Sequence, residues 1–503
     1  MKIIIPMTGK SMRFKNAGIS LPKQFLRVNK KMIIEHVLDL FPNERDINFI
    51  VNEEEYKNKS LREYFDVLED YNIFPITYKK EGPGKALLST NLLDTEEEVL
   101  VNYCDFSNIW NWEELKKYIK KNKPDGLVPA YSGLHPHSIY GNDYAFLKVE
   151  GKRIIDIKEK ESFTNNKINE LASSGSYYFK SGLIAKKYIE KILEKKMLIN
   201  GEAYISTPYE EMIKDDLKID YFKIDYFFQW GTPEDYNEFL YNLDEVNNVC
   251  NVKKIDLSGI NLLVPAGGAG KRFKKENYNT EKIFLNVNGK PLISNIISSV
   301  ENQASTSILI TDNNQDSLNE LDIVDSEDLI TISEKTNGQA HSGMKLVNKL
   351  ENDLPILIHS ADCILEKDIQ LNISDYDVGI ITKKNYRRAF LKFENYGWVN
   401  NENGKITGFS IKQKPYSEKS NVITGIFLFK NKNIYKQLFQ DTIERYGNSN
   451  LEIHIDYLVE TALLQNMKVV EIPTDKTVMI GTPIEYELYN YMYTVNNYMN
   501  QNQ

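Results

Sequence analysis

The sequence predicts an α/β fold in which two tandem domains each form a mainly parallel sheet flanked by helices. Three observations carry this expectation. Residue 1 laid on residue 260 aligns the openings of the two halves without a gap. Pro6 then falls on Pro265, Gly9 on Gly268, Arg13 on Arg272, Phe14 on Phe273 and Lys23 on Lys282. The register continues into QFLRVNKKMIIEHV over IFLNVNGKPLISNI, where Phe25, Leu26, Val28, Asn29 and Lys31 are matched. Within each half, short apolar runs alternate with helix-period patterns, an order that favours parallel strands covered by helices. Repetition at this period means duplicated domains, because solenoid units run to only ~20–50 residues.

The first half opens on the strand Ile3-Ile4-Ile5-Pro6 and the turn MTGKSMRF. INFIV, IFPITY and EVLVNYCD follow as strands, with KMIIEHVLDLF and WNWEELKKYIKK as helices. The second half opens on Leu262-Leu263-Val264-Pro265 and AGGAGKRF, and continues with SILIT, LITIS, ILIHSAD and DVGIIT as strands. Each half later carries a hairpin pattern, YAFLKVEGKRIIDIKEK in one and AFLKFENYGWVNNENGKITGFSIKQK in the other. Polar residues interrupt the pattern at 243–259, which divides the chain into domains 1–248 and 249–503. Residues 489–503 read as a terminal helix with a frayed polar tail.

Composition narrows the function classes. The chain has 503 residues, enough for two or three packed domains, with 41% hydrophobic and 26% charged residues. A net charge of −9 argues against a nucleic-acid-binding body. Lys116, Lys117, Lys120, Lys121 and Lys123 read as the solvated face of a helix. Three cysteines, Cys104, Cys250 and Cys363, lack CxxC spacing, which argues against a disulfide framework or cysteine zinc site and fits a reducing cytoplasm. No run approaches the ~18 apolar residues of a membrane helix, and the opening apolar run is too short for a signal peptide. The expectation is a cytoplasmic protein with no nucleic-acid or membrane partner. Abundant Lys, Asn, Ile and Tyr suggest a low-GC bacterial coding sequence.

In an open α/β sheet, ligands lie beyond the carboxyl ends of the strands. A glycine turn there lets backbone N–H groups approach phosphate oxygens, and a nearby arginine adds a planar charged fork. Neither half has P-loop spacing, and no acidic residue stands where a dinucleotide fold holds its ribose. The added signal is a lysine at fixed distance, in LPKQFL and TEKIFL, followed by a VNxK turn.

The succession G-x-[GS]-x-R-F, P-K-x-[FL]-[LI], V-x-[GN]-K resembles the sugar nucleotidyltransferases, or nucleoside-diphosphate-sugar pyrophosphorylases. The first half is the closer match: it adds GPGKA at 82–86, Asp105 in VNYCD, Glu159-Lys160, SSGSYYF and QWGTPEDY. GLHPHSIYGNDYAF, EKESFT and ASSGSYYFKSG further resemble a subgroup of capsule and surface-polysaccharide enzymes. The second half keeps the glycine turn, Lys282, NGQA, Asp362, Lys414 in KQKP, Gly425, LEIHID and GTPIEY.

The resemblance implies two tandem Rossmann-like, GT-A-like nucleotidyltransferase domains. A phosphate oxygen of a phosphorylated sugar or alditol would attack the α-phosphorus of a nucleoside triphosphate and release pyrophosphate. It implies Arg13, Lys23, Arg272 and Lys282 as catalytic residues. Thr8, Gly9, Gly82, Gly84, Gly267, Gly268, Gly270 and Gln339 would bind nucleotide. Glu159, Lys160, Gly175, Lys414 and Gly425 would bind acceptor, and Asp105 and Asp362 would hold Mg²⁺, the implied cofactor. Two polyanions must meet, so the main task is charge neutralisation.

The pattern also breaks. A second metal-holding aspartate of the family is Gln229 in the first half and Met479 in the second, and a thioether suits a hard cation poorly. Asp225 or Asp475 stands nearby. Gln413 replaces the glutamate before the acceptor lysine, and Glu281 stands where the first half has Pro22. The first half is therefore the expected catalytic domain. His135 and His137 read as metal ligands, acceptor contacts or a polar turn. Three further readings stay open: a GT-A-type glycosyltransferase, one active domain beside a non-catalytic nucleotide-binding regulator, and a homo-oligomer.

Overall fold

Ile3, Ile4 and Ile5 lie fully buried in the first strand, β1 (Lys2–Met7), with neighbours on both sides. Such burial on both faces is what parallel strands covered by helices require. The structure is a computed structural model of the chain. It describes all residues except 78–80, 140–143, 251–253, 269, 322, 324, 326–327, 334–335, 366–368, 370, 372, 385, 403, 448–451, 476 and 502–503. Tyr78 of IFPITY, Ala269 of the second glycine turn, residues 140–143 and Leu451 of LEIHID thus lie outside the described residues.

The described residues form two units, Met1–Leu243 with Thr494–Gln503, and Asp244–Tyr493. In the first, β1 is followed by α1 (Met12–Asn16), β2 (Ile47–Asn52), β3 (Asn72–Ile76), α2 (Pro83–Leu88), β4 (Val99–Asn102) and β5 (Phe106–Ile109). After α3 (Trp112–Asn122) come β6 (Gly126–Tyr131), the hairpin β7 (Ala145–Glu150) and β8 (Arg153–Glu159), then β9 (Leu171–Ser173) and β10 (Ser176–Phe179). α4 (Gly182–Glu194), α5 (Thr207–Lys214), β11 (Ile219–Lys223), β12 (Tyr226–Gln229) and α6 (Pro233–Cys250), whose residues from Asp244 on belong to the second unit, complete the run. The ten-stranded sheet has the order β9-β7-β8-β11-β6-β10-β4-β1-β2-β3. β1 runs parallel to β2 and β4, and β10 runs antiparallel to β4 and β6.

The second unit repeats a seven-strand path. Its elements are β13 (Asn261–Pro265), α7 (Lys271–Lys275), β14 (Ser305–Thr311), β15 (Leu329–Ile332), α8 (Gln339–Lys349), β16 (Ile356–His359) and β17 (Cys363–Ile364). β18 (Val378–Lys383), the hairpin β19 (Gly397–Glu402) and β20 (Lys405–Ile411), and β21 (Asn421–Phe429) follow. α9 (Lys432–Tyr446), α10 (Ile455–Leu464), β22 (Val469–Thr474), β23 (Val478–Met479) and α11 (Pro483–Gln501) close the chain. The path β15-β14-β13-β16-β21-β18-β22 matches β3-β2-β1-β4-β10-β6-β11 in order and strand direction.

One local expectation is corrected, the extent of the second hairpin. AFLKF lies in a 3-10 run, Arg387–Asn395, so the second hairpin starts only at Gly397. The HPH segment is a 3-10 turn, Pro136–Ile139, that buries both histidines against aromatic rings, and Tyr131 Oη lies 3.0 Å from His137 Nε2. Asn111 caps α3 by accepting from the Glu114 N–H, which leaves Asp105 free of that duty. Among the described residues, no helix is long and apolar enough to cross a membrane. Cys104 and Cys363 are buried free thiols.

Candidate functional site

At the carboxyl end of β1 the chain turns through Thr8, Gly9 and Lys10 into α1, and Ser11 adopts the left-handed conformation at φ 51°. Gly270 holds the same place before α7 at φ 58°. Nothing lies within 4 Å of where a Cβ on Gly9 or Gly268 would stand, so both turns leave backbone open to a ligand. Gly267 differs: its missing Cβ would strike Leu309 at 2.6 Å, which makes it a packing glycine under the turn. Phe14 and Phe273 are buried and anchor the short helices, leaving Arg13 and Arg272 exposed.

The Lys23 N–H donates to Ser11 Oγ at 3.0 Å, tying the lysine segment to the glycine turn. Lys23 Nζ then reaches Asp105 Oδ2 at 2.5 Å. Asp105 is held from behind by the Trp230 N–H, which donates to its carbonyl at 2.9 Å where β5 and β12 pair. Gly231 leaves room for both side chains, since a Cβ there would lie 2.8 Å from Asp105 Oδ2 and 2.7 Å from Gln229 Nε2. Burial would lower the Lys23 pKa, but the Asp105 carboxylate outweighs it and the net shift is upward, with Arg13 opposing. Asp235 is pushed up to about 6, chiefly by burial, and feels both Asp105 and Arg13. One field thus joins Arg13, Lys23, Asp105 and Asp235.

The contacts continue to the far end of this site. The Tyr103 N–H donates to the Gly175 carbonyl at 3.1 Å, and Tyr103 Oη accepts from the Ile205 N–H at 3.2 Å. Gly175 sits at φ 92°, with Phe106 3.0 Å from its missing Cβ. Ser206 Oγ donates to Glu159 Oε2 at 2.6 Å, and Lys160 Nζ donates to Tyr204 Oη at 3.0 Å. Gly82 and Gly84 are pressed on backbone instead of standing open. A Cβ on Gly82 would lie 2.6 Å from Ala203 N, and the Gly84 N–H donates to the Ala203 carbonyl at 2.9 Å.

In the second unit the corresponding residues wall a cavity of about 130 Å³. Arg272, Gln339, Asp362 and Gly425, all expected from the sequence, line it. Lys282 Nζ is ion-paired with Asp362. Burial alone would raise the Asp362 carboxyl, yet Lys282 and then Arg272 bring it below the ordinary value. Arg272 donates to the carbonyls of Asn395 and Gly481 at 3.2 and 3.3 Å, which fixes its guanidinium at the rim. The Ile480 N–H donates to the Asp362 carbonyl at 2.7 Å, the counterpart of Trp230 on Asp105. Glu485 accepts from the Thr482 N–H and from the hydroxyls of Tyr386 and Tyr396 beside it.

Lys414 does not line this cavity; Lys412 does. The reason is the length of β20, which ends at Ile411. Lys412 follows it at φ 53° as Lys160 follows β8 at φ 61°. Each also donates its backbone N–H to a tyrosine carbonyl, Tyr396 at 3.0 Å and Tyr144 at 2.8 Å. Ile411, not Gln413, therefore stands where the first unit has Glu159. Sequence reasoning also passed over His454 and, as a site residue, Asp456. Both line the cavity, with His454 Nε2 2.6 Å from Lys412 Nζ. Asp456 is pushed up to about 6 by burial, and His454 down to about 4 by burial and then Lys412. The LEIHID segment was the available signal.

Among the described residues, no group of three or more His, Cys, Asp or Glu side chains is arranged to hold a metal alone. Asp105 and Asp362 nevertheless each already hold a cation, the ammonium of Lys23 or Lys282. Mg²⁺ is commonly bound through one or two carboxylates plus substrate phosphates and water, so a single aspartate fits it. Gln229 offers a neutral oxygen beside Asp105, whereas Met479 offers no suitable donor.

Residues 262–477 match the family described as nucleotidyl transferase. The bifunctional protein GlmU of Methanocaldococcus jannaschii is 25% identical over 210 residues, 41% of this chain and 48% of GlmU. The chain thus spans about half the length of that curated relative. A nucleoside-diphosphate-sugar pyrophosphorylase from Vibrio cholerae RC9 is similar at 23% identity, covering 47% of this chain and 99% of that one, with a TM-score of 0.38. The inositol-1-phosphate CTP transferase from T. maritima is similar at 16% identity, covering 47% and 96%, with a TM-score of 0.36.

Proposed function

We propose that this chain is a nucleotidyltransferase of two tandem domains, 1–248 and 249–503. It would join a nucleoside monophosphate to a phosphorylated sugar or alditol and release pyrophosphate. The observation that carries this reading is the repeated lysine–aspartate pair, Lys23–Asp105 and Lys282–Asp362, at the strand ends beside an open glycine turn. The turn backbone and Arg13 or Arg272 would bind the β- and γ-phosphates. Lys23 or Lys282 would swing from its aspartate to the α-phosphate, where charge crowds in the transition state. The acceptor phosphate attacks phosphorus, the bond to the bridging oxygen breaks, and pyrophosphate leaves. The acceptor is already an anion, so no general base is needed. Asp105 and Asp362 would hold Mg²⁺, which when bound neutralises phosphate charge.

Lys160 and Lys412 would receive the acceptor phosphate, with Gly175 and Gly425 allowing close approach. The capsule-like motifs of the first half support a product used in surface-polysaccharide synthesis, made in the cytoplasm where nucleoside triphosphates are supplied. The match of 262–477 to nucleotidyl transferases favours the same chemistry in the second domain, with a different acceptor. The test is to screen CTP, UTP, dTTP, GTP and ATP for pyrophosphate release against a panel of sugar and alditol phosphates. Release of free nucleoside diphosphate instead would identify a glycosyltransferase, and bound triphosphate that never turns over would identify a sensor.

A further inference from the structure

The two acceptor ends differ at coupled positions. Ala203 and Ile453 occupy equivalent places, each giving its carbonyl to a helix-opening N–H, of Gly84 at 2.9 Å and Ala340 at 3.0 Å. One residue further on, Tyr204 meets Lys160 in the first unit and His454 meets Lys412 in the second. The carboxylate changes sides as well: Glu159, which accepts from Ser206, is replaced in position by Ile411, and Ser206 by Asp456, which lines the cavity.

We propose that His454 is a specificity-determining residue of the second unit: with Lys412 it forms a site for a phosphate dianion that fills with uptake of a proton onto the imidazole. This rests on the functional reading above, in which the cavity receives a phosphorylated acceptor. At 2.6 Å the Lys412 ammonium donates to a neutral Nε2, and a second proton there would place two cations in contact. A bound dianion removes that penalty. The groups facing His454 are Lys412 after β20, Arg272 on α7, Asp362 after β16, and Glu452 and Asp456 on its own segment. Glu452 is itself paired with Lys271 at 2.8 Å. Burial and Lys412 keep the ring neutral against the pull of Glu452 and Asp362, and an incoming dianion adds to that pull. In the first unit Tyr204 is a neutral hydroxyl, and burial pushes its pKa further up, so no proton is exchanged near neutrality.

Sulfate is the probe, because it stays a dianion across the pH range used and any pH dependence then belongs to the protein. Calorimetric titration of the full chain carrying Lys160→Ala, in buffers of different ionisation enthalpy, reads affinity and proton uptake together. The expected result is uptake of one proton, with affinity rising about tenfold per pH unit between about pH 8 and pH 6. His454→Tyr should abolish that slope and leave sulfate bound, Asp456→Asn should keep it, and Lys412→Ala should remove binding. Absent sulfate binding, pH-independent binding, or a slope lost in Asp456→Asn and kept in His454→Tyr would overturn the proposal. Proton uptake is measured with native His454 present, so a misfolded variant does not spare it. Failure of the functional reading looks different: no nucleoside triphosphate is turned over, whatever sulfate does.

Discussion

Lys23 Nζ and Asp105 Oδ2 stand 2.5 Å apart, joining the 3-10 turn Lys23–Phe25 beyond α1 to the loop between β4 and β5. The aspartate holds the ammonium in place. In the proposed reaction Lys23 would exchange this partner for the α-phosphate, and Asp105 would be the residue to hold Mg²⁺, which when bound neutralises phosphate charge. Lys23→Ala should therefore slow pyrophosphate release by about 10²–10³-fold, the scale of one transition-state charge contact. Lys282→Ala should do the same for turnover in the second unit. Single-turnover rates with each variant check both, and an unchanged rate in either removes that lysine from the chemistry.

Gly425 tests how closely the backbone must approach. It sits at φ 85°, and its missing Cβ would collide with Ser360, the neighbour but one of Asp362. Gly425→Ala should destabilise the second unit by about 1–3 kcal/mol through backbone strain. It should also raise the acceptor KM more than the nucleotide KM. Thermal melts and steady-state kinetics read the two effects separately. A melt unchanged from the parent chain would show that neither the left-handed backbone at Gly425 nor the contact with Ser360 costs stability.

The glycine turns, their arginines and the paired lysines were legible because they are local in sequence and recur at one offset. The aspartates were legible because each follows a strand that the apolar pattern marks. Lys412 was hidden because it depends on where β20 ends and on a left-handed kink, neither of which KQKP reveals. Gly82 illustrates a further gap: a glycine can be seen in sequence, but not that Ala203, more than a hundred residues on, is what presses against it. His454 and Asp456, which line the cavity, follow Ile453, whose N lies 2.6 Å from the missing Cβ of Gly338, a contact between segments more than a hundred residues apart.

Asp456 makes stability depend on pH. Burial raises its carboxyl from 3.8 to about 6, with Asp362 adding to the shift and Lys412 opposing it. The folded state thus binds this proton more tightly than the unfolded state, and stability falls as pH rises from about 4 through about 6. Asp456→Asn keeps the shape and removes the cost. Its Tm should equal that of the parent near pH 3.5 and exceed it near pH 8. An equal difference at both pH values would assign the effect to packing and not to ionisation.

Lys160 separates acceptor binding from nucleotide chemistry. Its ammonium lies 3.0 Å from Tyr204 Oη and 4.9 Å from the ring centre, so two weak attractions hold it where the acceptor phosphate would arrive. Lys160→Met keeps the stem packed on Tyr204 while deleting the charge, so folding should be untouched. In the first unit the acceptor KM should rise by about tenfold or more, since charge-assisted hydrogen bonds contribute about 1.5–3 kcal/mol. The nucleoside triphosphate KM should stay within about twofold of the parent value. Initial rates with acceptor and nucleotide varied in turn decide the matter. A rise confined to the nucleotide KM would move Lys160 from the acceptor to the triphosphate.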